Sequence, residues 1–336
     1  MTKSSNYDVY SYNRQHLQIT ELTEVLSSVV PAITFAEYKK AFLTPTNHLF
    51  VNWQYKPAGL SNHFNAKGLS LKQQWYLFLK SRFFIKVNYL KGSFIWVHDL
   101  FSGNYYHWMC EVLPRIYLLQ NEYNVGKVVL PSELQHASFV TESLNLLNIS
   151  PVWINQQESH LADNLITTVT TPNVGDIIPE LQRSLVAALL KGIGVDMNRE
   201  GTRKIYLSRK KAKTRKILNE DDILPVVKEM GYEIVFAEDL TFREQLMTFS
   251  SCKSLIALHG AGHTNLMFMP AAGKVLEIKN PDWKSQPLCF FQLANIFKIK
   301  WDYLNGMPPD EKLKNNNDLS ISEKTFQNKM LDFEKL

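Results

Sequence analysis

Cysteine is scarce: three in 336 residues, Cys110, Cys252 and Cys289, an odd number without metal-binding spacing. That excludes a disulfide scaffold and a thiolate zinc site, and points to reduced, mostly buried thiols of a cytosolic chain. No run approaches the ~18 apolar residues of a membrane-spanning helix. The start, MTKSSNYDVYSYNRQ, lacks the apolar core of a signal peptide. There is no GxxxxGK[ST], so no P-loop, and no GxGxxG, so a redox dinucleotide is not expected. Asp-x-Asp, which would hold a divalent metal against a nucleotide diphosphate, is missing too. Internal repeats and long low-complexity tracts are also lacking. What remains is ordinary for a globular protein, 45% hydrophobic and 21% charged. Aromatics, at 12%, are plentiful enough for large concave apolar surfaces. A net charge of +5 would favour an anionic ligand or contact with an anionic membrane surface. The length suits two domains better than one core.

Residues 1 to about 90 are aromatic and irregular. Strands are expected at 85–90 and 93–98. Residues 104–122 read as a helix with Trp108, Val112, Leu113, Ile116 and Leu119 on one side. Pro114 implies a kink there, or a helix that begins at it. Strands at 127–130, 152–154 and 165–171 alternate with a helix at 134–147. Turn residues at 171–179 mark a hinge. After a helix at 181–192 a second alternation follows. Strands are expected at 204–207, 233–236, 255–258 and 274–278. Helices are expected at 219–230, 241–250 and 264–269. A polar tail at 312–317 precedes a last helix, capped by Ser320 or Ser322, with Phe326, Met330 and Phe333 as its apolar face. That helix is expected to return to the first domain. The fold class is α/β, two Rossmann-like domains with ligand held in an interdomain cleft. The boundaries expected are 1–175, 176–310, and a tail and helix over 311–336.

Three stretches can carry chemistry. HGAGHTN (259–265) lies between an apolar strand and a helix. His259 follows the strand, Gly260, Ala261 and Gly262 turn the chain, and Thr264 or Asn265 begins the helix. Its unpaired N–H groups suit a phosphate. The plain alternative is a tight turn with a capping Asn. KIYLSRKKAKTRKILNEDD (204–222) places Arg209, Lys213 and Arg215 just past a strand, and guanidinium groups match phosphate oxygens. The alternative is a solvated basic loop. No longer basic run and no nucleic-acid motif occurs elsewhere, so nucleic acid is not an expected partner. NYYHWMCEVLPR (104–115) sets His107 and Glu111 four apart, on one helix face, where either could take a proton from a hydroxyl. The alternative is a packing His107 and an ion pair of Glu111 with Arg115. His-x-x-x-Glu alone is a poor metal set, and no metal or cofactor is expected. Glu277, late in the strand after the glycine loop, either accepts from ribose hydroxyls or makes a structural ion pair.

Together these stretches resemble glycosyltransferase family 61. The pattern runs H-W-x-x-E-x-L-P-R at 107–115 and Y-L-S-R-x-x-A-x-x-R-x-x-x-N-E at 206–220. It continues with L-x-F-x-E-Q at 240–245, H-G-A-G-x-T-N at 259–265 and F-M-P-x-x-G-x-V-L-E-I at 268–278. Residues 95–285 are covered. The resemblance implies a metal-independent inverting transferase of the GT-B type, with an acceptor-side first domain and a second that binds the nucleotide sugar, UDP-GlcNAc or UDP-xylose in known members. It implies that Glu111, where the family keeps Glu or Asp, is the base, with His107 orienting it or the acceptor. Arg209, Lys213, Arg215, His259, Gly260, Ala261, Gly262, Asn265 and Glu277 would hold the donor. The family usually has an apolar residue where His263 stands, and His263 is expected to be a tolerated surface residue rather than a ligand contact. Without the anchor of secretory-pathway members, the chain is similar to the bacterial branch. That branch builds capsule, lipopolysaccharide or exopolysaccharide on glycan or glycolipid acceptors at the cytoplasmic face, with peripheral contact at the inner membrane. The alternatives are another nucleotide-sugar enzyme, such as an epimerase, or a non-catalytic nucleotide-sugar-binding assembly protein.

Overall fold

A computed structural model describes residues 3–4, 33–57, 69–97, 101–170, 177–196, 199–281, 288–308 and 318–336. Most of the expected hinge, 171–176, and all of the polar tail at 312–317 lie outside these residues. The chain divides into two units, Met1–Leu185 and Val186–Leu336.

The first unit holds strands β1 (Lys3–Ser4), β2 (Thr34–Leu43), β3 (Leu49–Val51), β4 (Gln54–Lys56), β5 (Val87–Trp96), β6 (Lys127–Pro131), β7 (Ser150–Ile154) and β8 (Ser159–Thr170). Its helices are α1 (Leu71–Phe83), α2 (Leu113–Tyr123) and α3 (Ser138–Leu146). The strands form one sheet in the order β4-β3-β2-β8-β5-β6-β7, with β1 on β2. β8, β5, β6 and β7 pair in parallel, and β2, β3 and β4 extend the sheet antiparallel. The two strands expected at 85–90 and 93–98 are one, β5. Its pairing shifts register between Leu90 and Ser93, where Gly92 takes φ +109°, which glycine adopts without steric cost. β2 was illegible for a similar reason. Lys40 at φ +51° breaks the alternation, so Ala41, Phe42 and Leu43 are all buried in succession.

Helix α4 (Pro179–Gly192) crosses the division between the units. The second unit then alternates β9 (Arg203–Leu207), α5 (Glu220–Glu229), β10 (Glu233–Val235), α6 (Phe242–Ser250), β11 (Cys252–Leu258), β12 (Lys274–Lys279), α7 (Cys289–Ile296), β13 (Lys300–Asn305) and α8 (Glu323–Lys335). All five strands are parallel, in the order β10-β9-β11-β12-β13. Counted along the chain that is 2-1-3-4-5, a doubly wound order. Side chains alternate across it, and Tyr206, Ile256 and Leu276 face one side. There Phe326, Met330 and Phe333 of α8 pack beside Ile223 and Val227 of α5. This corrects the expected destination of the last helix: it closes the second unit's own core. Glu334 reinforces it by accepting from Lys204 at 2.9 Å and from the Tyr232 hydroxyl at 2.6 Å. Among the described residues no helix is long and apolar enough to cross a membrane.

Candidate functional site

In the second unit the chain leaves β9 for β10 on one side and β11 for β12 on the other. The crevice beyond the carboxyl ends of β9 and β11 is therefore the topological switch point, where such sheets bind ligands. Register puts Leu207, Ala257 and Glu277 side by side across β9, β11 and β12. The residues that follow, Arg209 from β9 and His259 from β11, thus emerge at one level, though they are 50 residues apart in sequence.

The basic loop after β9 is sorted by its partners. Lys210 pairs with Asp221 at 2.6 Å, and Lys211 with Asp239. Lys213 is exposed. Arg209 is held instead by backbone: its Nε donates to the Arg215 carbonyl at 2.9 Å and its Nη2 to the Thr214 carbonyl at 3.1 Å. Burial and the neighbouring Arg215 push its pKa below the usual guanidinium value, while Glu238 pulls the other way. Burial also lowers Arg215, which sits at φ +60°. Two partly desolvated guanidinium groups side by side favour an anion. The rest of the motif is structural. The Tyr206 hydroxyl donates to buried Glu220 at 2.8 Å, and the Asn219 side chain brackets Ile321 from both sides, accepting from its N–H and donating to its carbonyl.

The glycine loop becomes a 3₁₀ helix, Ala261–Phe268, that starts three residues earlier than expected. Asn265 does not cap it. Asn265 is buried and donates to Gln245 Oε1 at 2.9 Å. Gln245 in turn donates to the carbonyls of Leu240 and Ala237, while Thr241 and Glu244 form a reciprocal capping box. The segment 240–245 therefore serves to fix the loop. Gly260 has φ 165°, an extended backbone open to any residue, so conformation does not demand glycine. Space does: a Cβ there would lie 2.5 Å from Arg209 Nη1, and one on Gly262 would lie 2.6 Å from Leu207 Cδ2. Gly260→Ala is expected to displace the guanidinium while leaving the melting temperature within a few degrees. Pyrophosphate binding, measured by calorimetry, should weaken roughly tenfold, the low end for a hydrogen bond to a charged group. Wild-type pyrophosphate affinity in this variant would show that Arg209 is not an anion contact.

Below the loop lies a buried polar cluster. His259 Nδ1 is hydrogen-bonded to Glu277 Oε1, and Trp301 Nε1 donates to Glu277 Oε2 at 2.9 Å. Burial alone would raise the Glu277 carboxyl. The hydrogen bond with His259 and the electrostatic influence of His263, His259 and Lys279 outweigh burial and hold it below the usual carboxylate value. Both Glu277 oxygens thus have protein partners. His263 corrects its expectation outright. It is fully buried, stacked on Phe290 at 5.0 Å between ring centres, with its pKa pushed down to about 4 by burial. It is therefore no surface residue. Among the described residues Thr264 Oγ1 finds no hydrogen-bond partner, and the His263 ring has only a weak interaction with the Leu258 backbone. Phe290 and Trp301 lie in α7 and β13, which sequence reasoning did not expect, although Gln292 and Asn295, three apart, mark the outer side of α7.

The first unit's constellation follows β5. Asn104 caps a helical turn, Tyr105–His107, by accepting from the Tyr106 N–H at 3.0 Å. A π-helical turn, Trp108–Val112, comes next, and α2 begins at Leu113 with Pro114 in its first turn. The backbone stays helical without a break from Tyr105 to Tyr123, so Pro114 does not start a new helix but follows directly on the widened turn. Such widened turns leave carbonyls to satisfy and recur at functional sites. Gln182 Nε2 donates to the Met109 carbonyl at 3.0 Å, and Arg115 Nε to the Glu111 carbonyl at 2.6 Å. Trp108 anchors the turn through Nε1 to Ser143 Oγ at 3.0 Å. His107 Nδ1 lies 2.9 Å from Glu111 Oε2, and the Phe101 ring stacks on His107 at 5.0 Å. The pair is largely buried but reaches solvent, the Glu111 side chain at 8% and His107 at 20%. A carboxylate aligned by an imidazole at a partly open position can accept a proton from a hydroxyl. No group of three or more His, Cys, Asp or Glu able to hold a metal ion occurs among the described residues.

The sequence model of the family described as Glycosyltransferase 61 matches residues 105–276. The chain is 35% identical over 99 residues to the EGF domain-specific O-linked N-acetylglucosamine transferase of Drosophila melanogaster, covering 29% of this chain and 18% of that one. The counterpart in Mus musculus is 28% identical over 119 residues, 34% of this chain and 23% of its own length. A beta-1,2-xylosyltransferase, XAX1, of Oryza sativa subsp. japonica is 36% identical over 89 residues, 25% of this chain and 15% of its own. The matches span about a fifth of the length of these relatives.

Proposed function

Because the family match covers half of it, the chain belongs to glycosyltransferase family 61, and we propose that it transfers a sugar from a UDP-sugar to a glycan or glycolipid acceptor, with inversion and without a metal ion. The relatives' names specify N-acetylglucosamine and xylose, and the donor proposed here carries one of these. The observation that carries the reading is the pair of chain segments at the switch point, with Arg209 lying over Gly260.

In this reading Arg209, Arg215 and Lys213 meet the diphosphate oxygens, and the N–H groups at the start of the 3₁₀ helix (Ala261, Gly262) add partial positive charge. Glu277 orients His259 from behind rather than touching the ribose. An acceptor hydroxyl attacks the anomeric carbon as the bond to the UDP oxygen breaks. Glu111, aligned by His107, takes the hydroxyl proton, and UDP leaves with the electron pair. One displacement inverts the centre and needs no covalent nucleophile. The setting proposed is capsule, lipopolysaccharide or other polysaccharide assembly at the cytoplasmic membrane face. Calorimetric titration with UDP in EDTA tests the donor site. Binding is expected, and a family of sugar products extended by one residue should form in the same buffer. Absence of UDP binding would remove the donor assignment. Activity abolished by EDTA and restored by Mg²⁺ or Mn²⁺ would overturn the metal-free mechanism.

A further inference from the structure

Between Tyr38 and His98 the sequence holds nine Lys or Arg and no Asp or Glu, against +5 for the whole chain, so the remainder is net acidic. Helix α1 lies in this stretch and is turned inside out for a surface helix. Phe78 and Ser81 point into the first unit, with Phe78 against Phe42 and Phe50 at 5.5 and 5.2 Å between ring centres. On the outer side, where charge is usual, Trp75, Leu79 and Phe83 stand at i, i+4 and i+8 with Tyr76 beside them, all exposed. Phe84, just past the helix, is 85% exposed.

The charges among these groups have one sign. Lys80 Nζ lies 5.9 Å from the Tyr76 ring centre, and the Arg82 guanidinium 5.9 Å from that of Phe83. Nearby Lys86 is paired with Glu158 and Lys40 with Asp163. Lys72, Lys80 and Arg82 have no ion pair among the described residues. Beside the helix, the β3–β4 hairpin turns through Asn52 and Trp53 at φ +49° and +68°. A bulky residue in that region is unusual, yet Trp53 is held there 60% exposed. An open groove of about 330 Å³ between hairpin and helix is walled by Trp53, Tyr55, Leu71, Trp75 and Phe78.

We infer that this face of the first unit docks on an anionic lipid surface. Trp53, Trp75, Phe83 and Phe84 enter the boundary between headgroups and acyl chains, as interfacial aromatics do. Lys72, Lys80 and Arg82 meet the acidic headgroups, each strengthening binding roughly fivefold. A soluble polyanion would account for the charge but not for the outward apolar groups. A second copy of the chain would account for the apolar groups but would bring like charges together. The inference does not rest on the transferase reading, and its test does not use activity.

The experiment is co-sedimentation of the full chain with phosphatidylcholine vesicles, with and without phosphatidylglycerol. Binding at least ~10-fold stronger to the anionic vesicles is expected. The triple variant Trp75→Ser, Phe83→Ser, Phe84→Ser should lose at least ~10-fold of it. Melting temperature and UDP affinity should stay at wild-type values, because these side chains face outward. Should that variant misfold, quenching of wild-type tryptophan fluorescence by brominated lipid gives the same answer. Four results would each overturn the inference: no preference for anionic vesicles, undiminished binding by a folded triple variant, no quenching, or a wild-type dimer that the triple variant abolishes.

Discussion

Glu111→Gln is expected to leave UDP affinity unchanged and to lower turnover by at least ~10²-fold, within the ~10²–10⁴ that a general base supplies. That corresponds to about 3–5 kcal/mol of transition-state stabilisation. The amide is isosteric and can still accept from His107 Nδ1 at the 2.9 Å now seen, so the π-helical turn should hold and the melting temperature should not move. What is lost is the capacity to take a proton. His107→Ala should cost less, because the carboxylate keeps its chemistry and loses only its alignment. Transfer rate and UDP affinity are to be measured for both variants side by side. Near-full turnover in Glu111→Gln with a dead His107→Ala would reverse the roles, making His107 the base.

Arg215→Ala and Arg209→Ala are each expected to weaken UDP binding by about 1.5–3 kcal/mol, roughly ten- to 150-fold, the range for hydrogen bonds to charged groups. The two should differ in their side effects. Arg209 also ties down the carbonyls of Thr214 and Arg215, so its loss loosens the loop that carries its neighbour. Arg215→Ala adds no backbone strain of its own, since alanine at φ +60° is strained no more than arginine is. Both effects should shrink as salt screens the guanidinium–phosphate attraction. UDP binding unchanged in both variants would leave the switch-point crevice without an assigned ligand.

The strand and helix alternation of the second unit was legible in the sequence, because that periodicity is a local property of the chain. So was the stripe of Trp108, Val112, Leu113, Ile116 and Leu119, all fully buried. The candidate residues of the second unit were visible as chemistry-bearing types at the ends of strands. Tertiary structure alone decided what each of them meets. Parallel pairing of β9, β11 and β12 sets Leu207, Ala257 and Glu277 level, and no pattern within ten residues can encode that. Hence Glu277 could be named but not placed between His259 and Trp301, nor could His263 be sent inside against Phe290. The same holds for α8, whose apolar face was plain but whose partner was not, since a hydrophobic stripe is non-directional and fits any complementary core. In α1 the sequence shows apolar and basic residues together. Only the burial of Phe78 and Ser81 reveals that Trp75, Leu79 and Phe83 face out, because burial depends on what packs against a helix and not on the helix itself.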